Sequence, residues 1–314
     1  MQCSNNLKQL QLAALNYESA YNRFPFAMGG TTGGPLVSNA GRLSGLVPML
    51  PYLEQQPLYN TISRELAIDD VRYPPFGPAP WIEDYPPWKR HVNCFVCPSS
   101  PFRADDFAVK TYAFCIGDVA SNLNAPSAIR GAFAAGINTA MRDIADGTSH
   151  TIAFAEIGLL DGRAISGTFA VNQSPAFIYH PLACRHLANN KGLYLSDVPI
   201  STVGRGGLWA DGASGIGMFN TILPPNSTSC SIQDAAADGI FSAASGHHGG
   251  INVAIADGSV QFISNSIDCG DAASSPPFLA QYAKQQYPSP FGVWGALGTA
   301  AGGEGEDTLN NLNR

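Results

Sequence analysis

CSNNLKQLQLAALNYESAYNRFP, residues 3–25, is the stretch whose reading decides the fold. Apolar side chains fall at Cys3, Leu7, Leu10, Ala14, Tyr17, Tyr21 and Phe24. Steps that alternate between about four and three residues trace one stripe on an α-helix. Leu12, Ala13, Leu15 and Ala20 widen the stripe, and Asn5, Lys8, Gln11, Asn16, Glu18 and Asn22 fill much of the remaining surface. So broad an apolar face predicts a helix buried on more than one side. Pro25 is expected to end it, because a proline pushes the preceding residue out of the α region. About twenty residues at ~1.5 Å each make a rod of roughly 30 Å, long enough to back a whole sheet. The start is unusual. Met1-Gln2-Cys3 supplies neither a cap nor a first turn of acids, and Ser4 is the only candidate cap. The helix reads as one whose front end lies upstream of Met1.

The remainder of the chain has the composition of a loop-rich β protein. Charged residues make up 13% of its 314 residues, about half the usual share, and there are 33 glycines and 23 prolines. Low charge with abundant Gly, Pro, Ser, Thr and Asn suits an extracellular setting better than the cytosol. A net charge of −7 and a pI near 5.3 argue against non-specific binding to nucleic acid or anionic membrane. No run of apolar residues is long enough to span a bilayer, and no secretory signal is present. The seven cysteines are an odd number, so at least one is free or pairs between chains. Two or three bridges are expected in an oxidising compartment, with Cys184–Cys230 and Cys230–Cys269 as candidate pairings. The single CxxC, Cys94 and Cys97, lacks a second CxxC and a nearby histidine pair, which speaks against a zinc finger.

Taken in order, residues 25–41 read as a loop, and residues 42–65 as two short helical pieces broken by Pro48, Pro51 and Pro57. Pro57 suits the first turn of the second piece, with Leu58, Ile62 and Leu66 on one face. The Pro-rich stretch 73–88, with Trp81 and Trp88, fits no regular element. Strands are expected at His91–Cys97 and Thr111–Gly117. Two hairpins are expected where Asp-Gly falls between apolar segments: around Asp146-Gly147, leading into Ile152, Phe154 and Glu156, and around Asp257-Gly258, between Asn252–Ala256 and Val260–Ser264. Residues 206–230 read as irregular chain crossing the surface with Trp209 anchored inward. The tail 269–303 reads as loop with an apolar patch at Phe291–Leu297, and 304–314 as frayed.

Candidate chemistry is sparse. His247 and His248 with Asp257 invite a metal or acid–base reading, but the strand between them is expected to hold their ends too far apart to share one ion. The plainer expectation is that Asp257 shapes its own turn and His247 bonds neighbouring backbone. Asp146 and Asp257 are weak Ca²⁺ candidates, since carboxylates at turns supply oxygen ligands, but no EF-hand loop is present. Gly212-Ala213-Ser214-Gly215-Ile216 is only a fragment of a GxSxG elbow, and neither GxGxxG nor a P-loop occurs. Glu156 and Asp146 lie too far apart in sequence to imply a carboxylate pair. Trp81, Trp88, Trp209 and Trp294 read as anchors rather than a sugar platform. No catalytic set is apparent.

Several blocks together resemble one family. Residues 3–25 resemble the segment that follows the membrane-spanning half of a type IV pilin-type N-terminal helix. LPYLEQQPLYN (50–60), VCPSSP (96–101), DIADGTSHTIAFAE (143–156), LWADG…FNTILPPNSTSC (208–230), SGHHGGINVAIADGSVQFISNSID (245–268) and VWGALGTAAGGE (293–304) look like successive blocks of the large pilin-like proteins abundant in planctomycetes. Those end in a His, nine residues, Asp-Gly signature, which His247, Asp257 and Gly258 match. The cleavable leader and the apolar half of the helix have no counterpart in this sequence, and the residue after the histidine, often proline in such proteins, is His248.

The resemblance implies an α+β, pilin-like fold: a long N-terminal α-helix packed on an antiparallel β-sheet, with large loop-rich insertions. Residues 1–25 would be the C-terminal half of the pilin-type helix and 26–314 a single globular domain. It implies a non-enzymatic structural subunit of a pilus-like or secretion-pseudopilus-like filament, processed and methylated at its N-terminus. Such a subunit is anchored in the inner membrane before assembly and displayed at the cell surface or in the periplasm. Its partners would be other pilin-like subunits, met through Leu7, Leu10, Leu12, Ala14, Leu15 and Tyr17, with no nucleic acid and no cofactor. The rival expectation is a periplasmic or surface binding module for a carbohydrate or other small ligand, using the tryptophans and the loops at 73–90 and 160–205. A hydrolase built on His247 or His248 is the third.

Overall fold

In a computed structural model of the chain, residues 1–100, 107–126, 128–277 and 287–304 are described. The opening stretch forms helix α1, Gln2–Tyr21. Pro25 does not set its end. Asn22 adopts the left-handed conformation at φ 56°, and its N–H closes on the Glu18 carbonyl, an αL cap that satisfies a last-turn carbonyl. Ser4 does not cap the start either; its hydroxyl donates to the Met1 carbonyl.

One face of α1 is sunk in the protein. Cys3, Leu7, Leu10, Ala13 and Ala14 are buried, whereas Lys8, Gln9, Leu12, Asn16 and Ser19 are exposed. The helix is therefore covered on one side, not on several. Two polar residues go inward because each meets a backbone carbonyl: Asn6 Nδ2 donates to Val96, just after the Asn93–Phe95 turn, and Gln11 Nε2 to Ala256, just past the strand Gly250–Ile255, both at 2.9 Å. Gln11 is thus a core residue and not part of the polar surface.

The platform under α1 is a five-stranded sheet. Its strands are β5 (Tyr112–Cys115), β6 (Ile152–Glu156), β7 (Met218–Phe219), β10 (Gly250–Ile255) and β11 (Val260–Ser264), in the order β11-β10-β6-β5-β7. All neighbours are antiparallel except β5 and β7, which run parallel through Phe114↔Met218 and Cys115↔Phe219. The fold is therefore mixed α and β with a long N-terminal helix. Smaller two-stranded pairs join β1 (Met28–Gly29) to β2 (Leu43–Ser44), β3 (Leu66–Ile68) to β4 (Val71–Tyr73), and β8 (Cys230–Ser231) to β9 (Gly239–Ile240).

Both faces of the sheet are covered. Tyr112, Phe114, Phe154, Ala254 and Ala256 face the core that α1 completes. Ala113, Cys115, Ala155, Ile251, Val253 and Ile255 face a second core closed by Val293, Trp294 and Leu297. The last three belong to a C-terminal helix, Gly292–Gly298, so the expected apolar patch in a loop is a helix that covers the second face. Burial on both faces explains why β6 reads as a continuous apolar run rather than an alternating one. A third cluster, around Cys184, Tyr194, Ile222 and Phe291, holds the 159–205 insertion.

Other expectations need correcting. His91–Cys97 contains a 3₁₀ turn at Asn93–Phe95, not a strand. Its polar backbone is satisfied locally and by Thr111, whose N–H donates to the Phe95 carbonyl and whose hydroxyl accepts the Cys97 N–H. The Asp146 turn does not join two strands: β6 takes β5 and β10 as its neighbours, leaving no place for a hairpin partner. Leu66 is in β3, so it does not continue the Pro57–Ile62 helical face, and the β3–β4 pair turns at Asp69, φ 50°. Residues 206–230 are not surface chain. They carry a short helical turn at Ser214–Gly217 and strand β7, and most are buried. The second Asp-Gly hairpin forms as expected: β10 and β11 pair from Gly250↔Ser264 to Ala254↔Val260, with Gly258 at φ 97° in the turn. Of the frayed tail, residues 305–314 lie outside the described residues.

Candidate functional site

The most unusual chemistry in the chain gathers where the first turn of α1 meets the end of β6. Glu156 is the last residue of β6 and is 1% exposed. A buried carboxylate must be met by donors. Three converge on it: the Asn252 N–H at 2.7 Å and the Asn252 Nδ2 at 3.1 Å, both from β10, and His247 Nε2 at 3.1 Å. His247 is held in turn by its own N–H, which donates to the Ser245 hydroxyl at 3.0 Å, while that hydroxyl donates to the Gly250 carbonyl at 2.8 Å. The same Nε2 lies 3.6 Å from Cys97 Sγ.

Cys97 is bonded to Cys3, with Cα atoms 4.7 Å apart, so a disulfide ties α1 to the 3₁₀ segment beside it. Tyr112 completes the enclosure: its hydroxyl donates to the Cys3 carbonyl at 3.1 Å. Burial, and then the neighbouring Glu156 charge, push its ionisation well above the ordinary tyrosine range. Cys3, Cys97, Glu156 and His247 each place one sulfur, nitrogen or oxygen donor such that all four lie within 4.8 Å of one another.

This geometry constrains the chemistry. A nucleophile–base–acid relay needs one ring nitrogen toward the nucleophile and the other toward the acid. Here the carboxylate and the sulfur both address Nε2, and the sulfur is consumed in a disulfide. The arrangement holds a helix; it is not set up to pass a proton to a substrate.

The remaining candidates lie elsewhere. His247 bonds a side chain and not the neighbouring backbone expected for it, while His248 is exposed. Asp257 shapes its own turn, accepting from the Ser259 N–H at 2.8 Å. The signature residues His247 and Asp257 thus flank β10, separated by roughly 20 Å of strand. Gly258 places its turn against α1, where an added Cβ would lie 3.6 Å from Leu15. Asp146 accepts from the N–H groups of Gly302 and Gly303, at 2.6 and 2.9 Å, and from the Thr299 hydroxyl. Its oxygens face donors, which is the environment of an anchored loop and not of a cation. Ser214 is buried, its hydroxyl donating to the Ala237 carbonyl.

Of the proposed assembly residues, Leu7, Leu10 and Ala14 pack into the chain's own core, Leu15 and Tyr17 are half-buried, and Leu12 is 46% exposed. Trp88, Trp209 and Trp294 are fully buried; Trp81 alone of the four is exposed, with Arg42 4.8 Å above its ring. A tryptophan platform is therefore ruled out. A different aromatic site exists: Tyr17, Tyr21, Tyr52, Tyr59 and Phe76, with Arg23, line a cavity of about 780 Å³ at the far end of α1.

Perturbed ionisation marks one more cluster. Complete burial pushes Lys110 down to about 7 against the upward pull of Asp211, and Arg205 down to about 9. Such shifts accompany active sites when they face a cleft. Lys110 instead spends its hydrogens on the carbonyls of Trp209 and Asp211, at 3.2 and 2.6 Å, and frames the buried 204–218 segment.

Sequence reading missed Glu156, Cys3 and Cys97 as one site. The signal available was the run TIAFAE, an acid closing an otherwise apolar strand, because a carboxylate in that position is buried and needs partners. Among curated proteins none matches the chain, and no solved structure does. Residues 1–270 match the family described as a protein of unknown function (DUF1559), which spans α1, β6, the disulfide and the His247–Asp257 hairpin, and the chain belongs to that family.

Proposed function

We propose that this chain is the folded part of a pilin-like surface-filament subunit, a structural protein that works by assembly and not by catalysis. The observation that carries the reading is α1 itself. Twenty residues lie across β10, β6 and β11 of one continuous sheet and are bonded to the domain at Cys3, the arrangement of a spine that must bear load along its axis. The order of blocks along the chain, with the His247–Asp257 hairpin last on the sheet, supports the same reading. Among the described residues no helix is long and apolar enough to cross a membrane. In the mature subunit the outward face of α1, around Leu12, meets neighbouring subunits. Two disulfides agree with an extracytoplasmic location.

Electron microscopy of producing cells, with labelling by an antibody against the domain and mass-spectrometric reading of the native N-terminus, tests this. Labelled fibres and a processed, methylated apolar N-terminus are expected. Label without fibres, on a protein whose N-terminus is neither processed nor methylated, would reject it.

The tyrosine-lined cavity supports a second reading, a surface module that binds a carbohydrate on its aromatic walls. In that case a panel of soluble glycans would include one that shifts the amide resonances of Tyr52 and Tyr59, and Tyr52→Ala would abolish the shift. A panel that moves neither resonance eliminates the binding module and leaves the filament reading untouched.

A further inference from the structure

We infer that Cys3, Cys97, His247 and Glu156 form a Zn²⁺ site when the Cys3–Cys97 bond is reduced, so that α1 is fastened to the domain by a disulfide in one redox state and by a metal in the other. The four donors are two sulfurs, an imidazole nitrogen and a carboxylate oxygen, within 4.8 Å of one another. That set and number are those of a closed tetrahedral zinc centre. They come from four separated parts of the chain: the first turn of α1, the segment after the Asn93–Phe95 turn, the end of β6 and the loop just before β10. A site so assembled exists only in the folded chain, and binding there stabilises the fold.

The required movement is small. Sulfurs bonded at ~2.05 Å must open to about 3.8 Å, the separation of two thiolates on one zinc with bonds of ~2.3 Å. Side-chain rotation at Cys3 and Cys97 covers that difference. The other two donors are already aimed. Glu156 Oε2 is pinned by the Asn252 N–H, which turns Oε1 toward His247, and the Ser245 hydroxyl holds the His247 backbone. Outer partners of this kind orient ligands in metal sites. The cation would replace the hydrogen shared by Nε2 and Oε1, which are 3.1 Å apart, and would sit off the line between them on the side of the two sulfurs, at ~2.0–2.1 Å from each.

The chemistry balances. A dithiol or other thiol reductant delivers two electrons and two protons to the Cys3–Cys97 bond and is itself oxidised to a disulfide. Zn²⁺ then displaces the two thiol protons, and the imidazole hydrogen moves from Nε2 to Nδ1, leaving Nε2 free to ligate. Cys94 is outside the set. It is a free thiol pushed up to about 11 by burial, so the CxxC pair does not act as a unit here.

The test uses the full chain purified oxidised, then reduced anaerobically, and titrated with Zn²⁺ and separately with Co²⁺. One metal ion per reduced chain is expected and none per oxidised chain, with the intense visible spectrum of tetrahedral thiolate-bound Co²⁺. His247→Ala and Glu156→Gln should each weaken binding by at least roughly tenfold. Cys94→Ser and Cys230→Ser should leave it unchanged. Hydrogen exchange on the reduced wild-type chain gives a readout independent of how the variants fold: Zn²⁺ should restore protection to the first turns of α1. No metal uptake by the reduced chain overturns the inference. So does uptake that survives His247→Ala at full strength, uptake lost in Cys94→Ser, or uptake without renewed protection of α1.

Discussion

Glu156 is the residue on which most of the candidate site depends. It accepts from a backbone N–H, a side-chain amide and an imidazole at once, with no water-facing surface. Replacing it with Gln keeps the shape but turns an NH₂ toward other donors, which leaves buried hydrogens unpaired. Glu156→Gln should cost about 1–3 kcal/mol, seen as a lower urea midpoint with unchanged slope. Lys110 makes a prediction of a different kind. Burial brings it down to about 7 in the folded chain. Its unfolded value is ~10.4, so above pH 7 the unfolded state binds the extra proton and stability rises with pH, by up to about 1.4 kcal/mol per unit. The clean window is about pH 7 to 8.5. Above that, the thiols of Cys94, pushed up to about 11, and of Cys115 and Cys269, pushed up to about 12, act in the opposite sense and stability falls. Urea unfolding at several pH values inside the window should show the rise, and Lys110→Met should flatten it. In the sequence Glu156 shows only as an acid closing the apolar run 151–156, with nothing to name its partners, and Lys110 shows as nothing special. Lys110 stands four residues after Asp106 like many surface lysines, and the pairing of Glu156 with His247 joins positions 91 residues apart.

At the scale of elements, α1 separates packing from exposure within two residues. Leu10 is fully buried against the sheet, and Leu10→Ala should destabilise the chain by about 2–5 kcal/mol. Leu12 is 46% exposed, and Leu12→Ser should change monomer stability by less than about 0.5 kcal/mol. If the outward face meets other subunits, the same Leu12 change removes fibres while thermal unfolding of the isolated chain stays put. Cys3→Ser isolates the staple. It closes a loop across 94 residues of sequence, and its loss should cost about 2–4 kcal/mol. The loss should appear first as faster amide exchange in the opening turns of α1. Element types were legible where a local pattern specifies them: the periodicity of residues 3–21 and the Asp257-Gly258 turn are both kept by the structure. They were illegible where the local signal is short or the bonding is non-local. The Gly292–Gly298 helix is too short and too Gly-rich to announce itself, and Met218–Phe219 becomes a strand only because β5 lies beside it. The Asp146 turn carried the same letters as the Asp257 turn yet built no hairpin, since β6 already had two neighbours.

For the molecule as a whole, the sheet is closed on one face by α1 and on the other by the helix Gly292–Gly298, so elements from opposite parts of the chain cover the two faces of one sheet. Trp294 in that last helix donates to the Leu223 carbonyl at 2.9 Å from a fully buried ring. Ending the chain at residue 290 should therefore expose the second face of the sheet, read as dye binding and loss of two-state unfolding. The side chain of Gln11 reaches a carbonyl 245 residues further on, whereas Cys3 reaches a sulfur 94 residues away. At ~5–20 residues per second of synthesis, the strand that α1 must lie on arrives about 12–50 s after the helix itself. During that interval the helix has no sheet to cover its apolar side. The Cys3–Cys97 link can form well before β10 exists, and a tethered helix searches a far smaller volume than a free one. The covalent bond at the start of α1 is thus also a timing device: it keeps an early-made element parked beside the place where a late-made one will arrive.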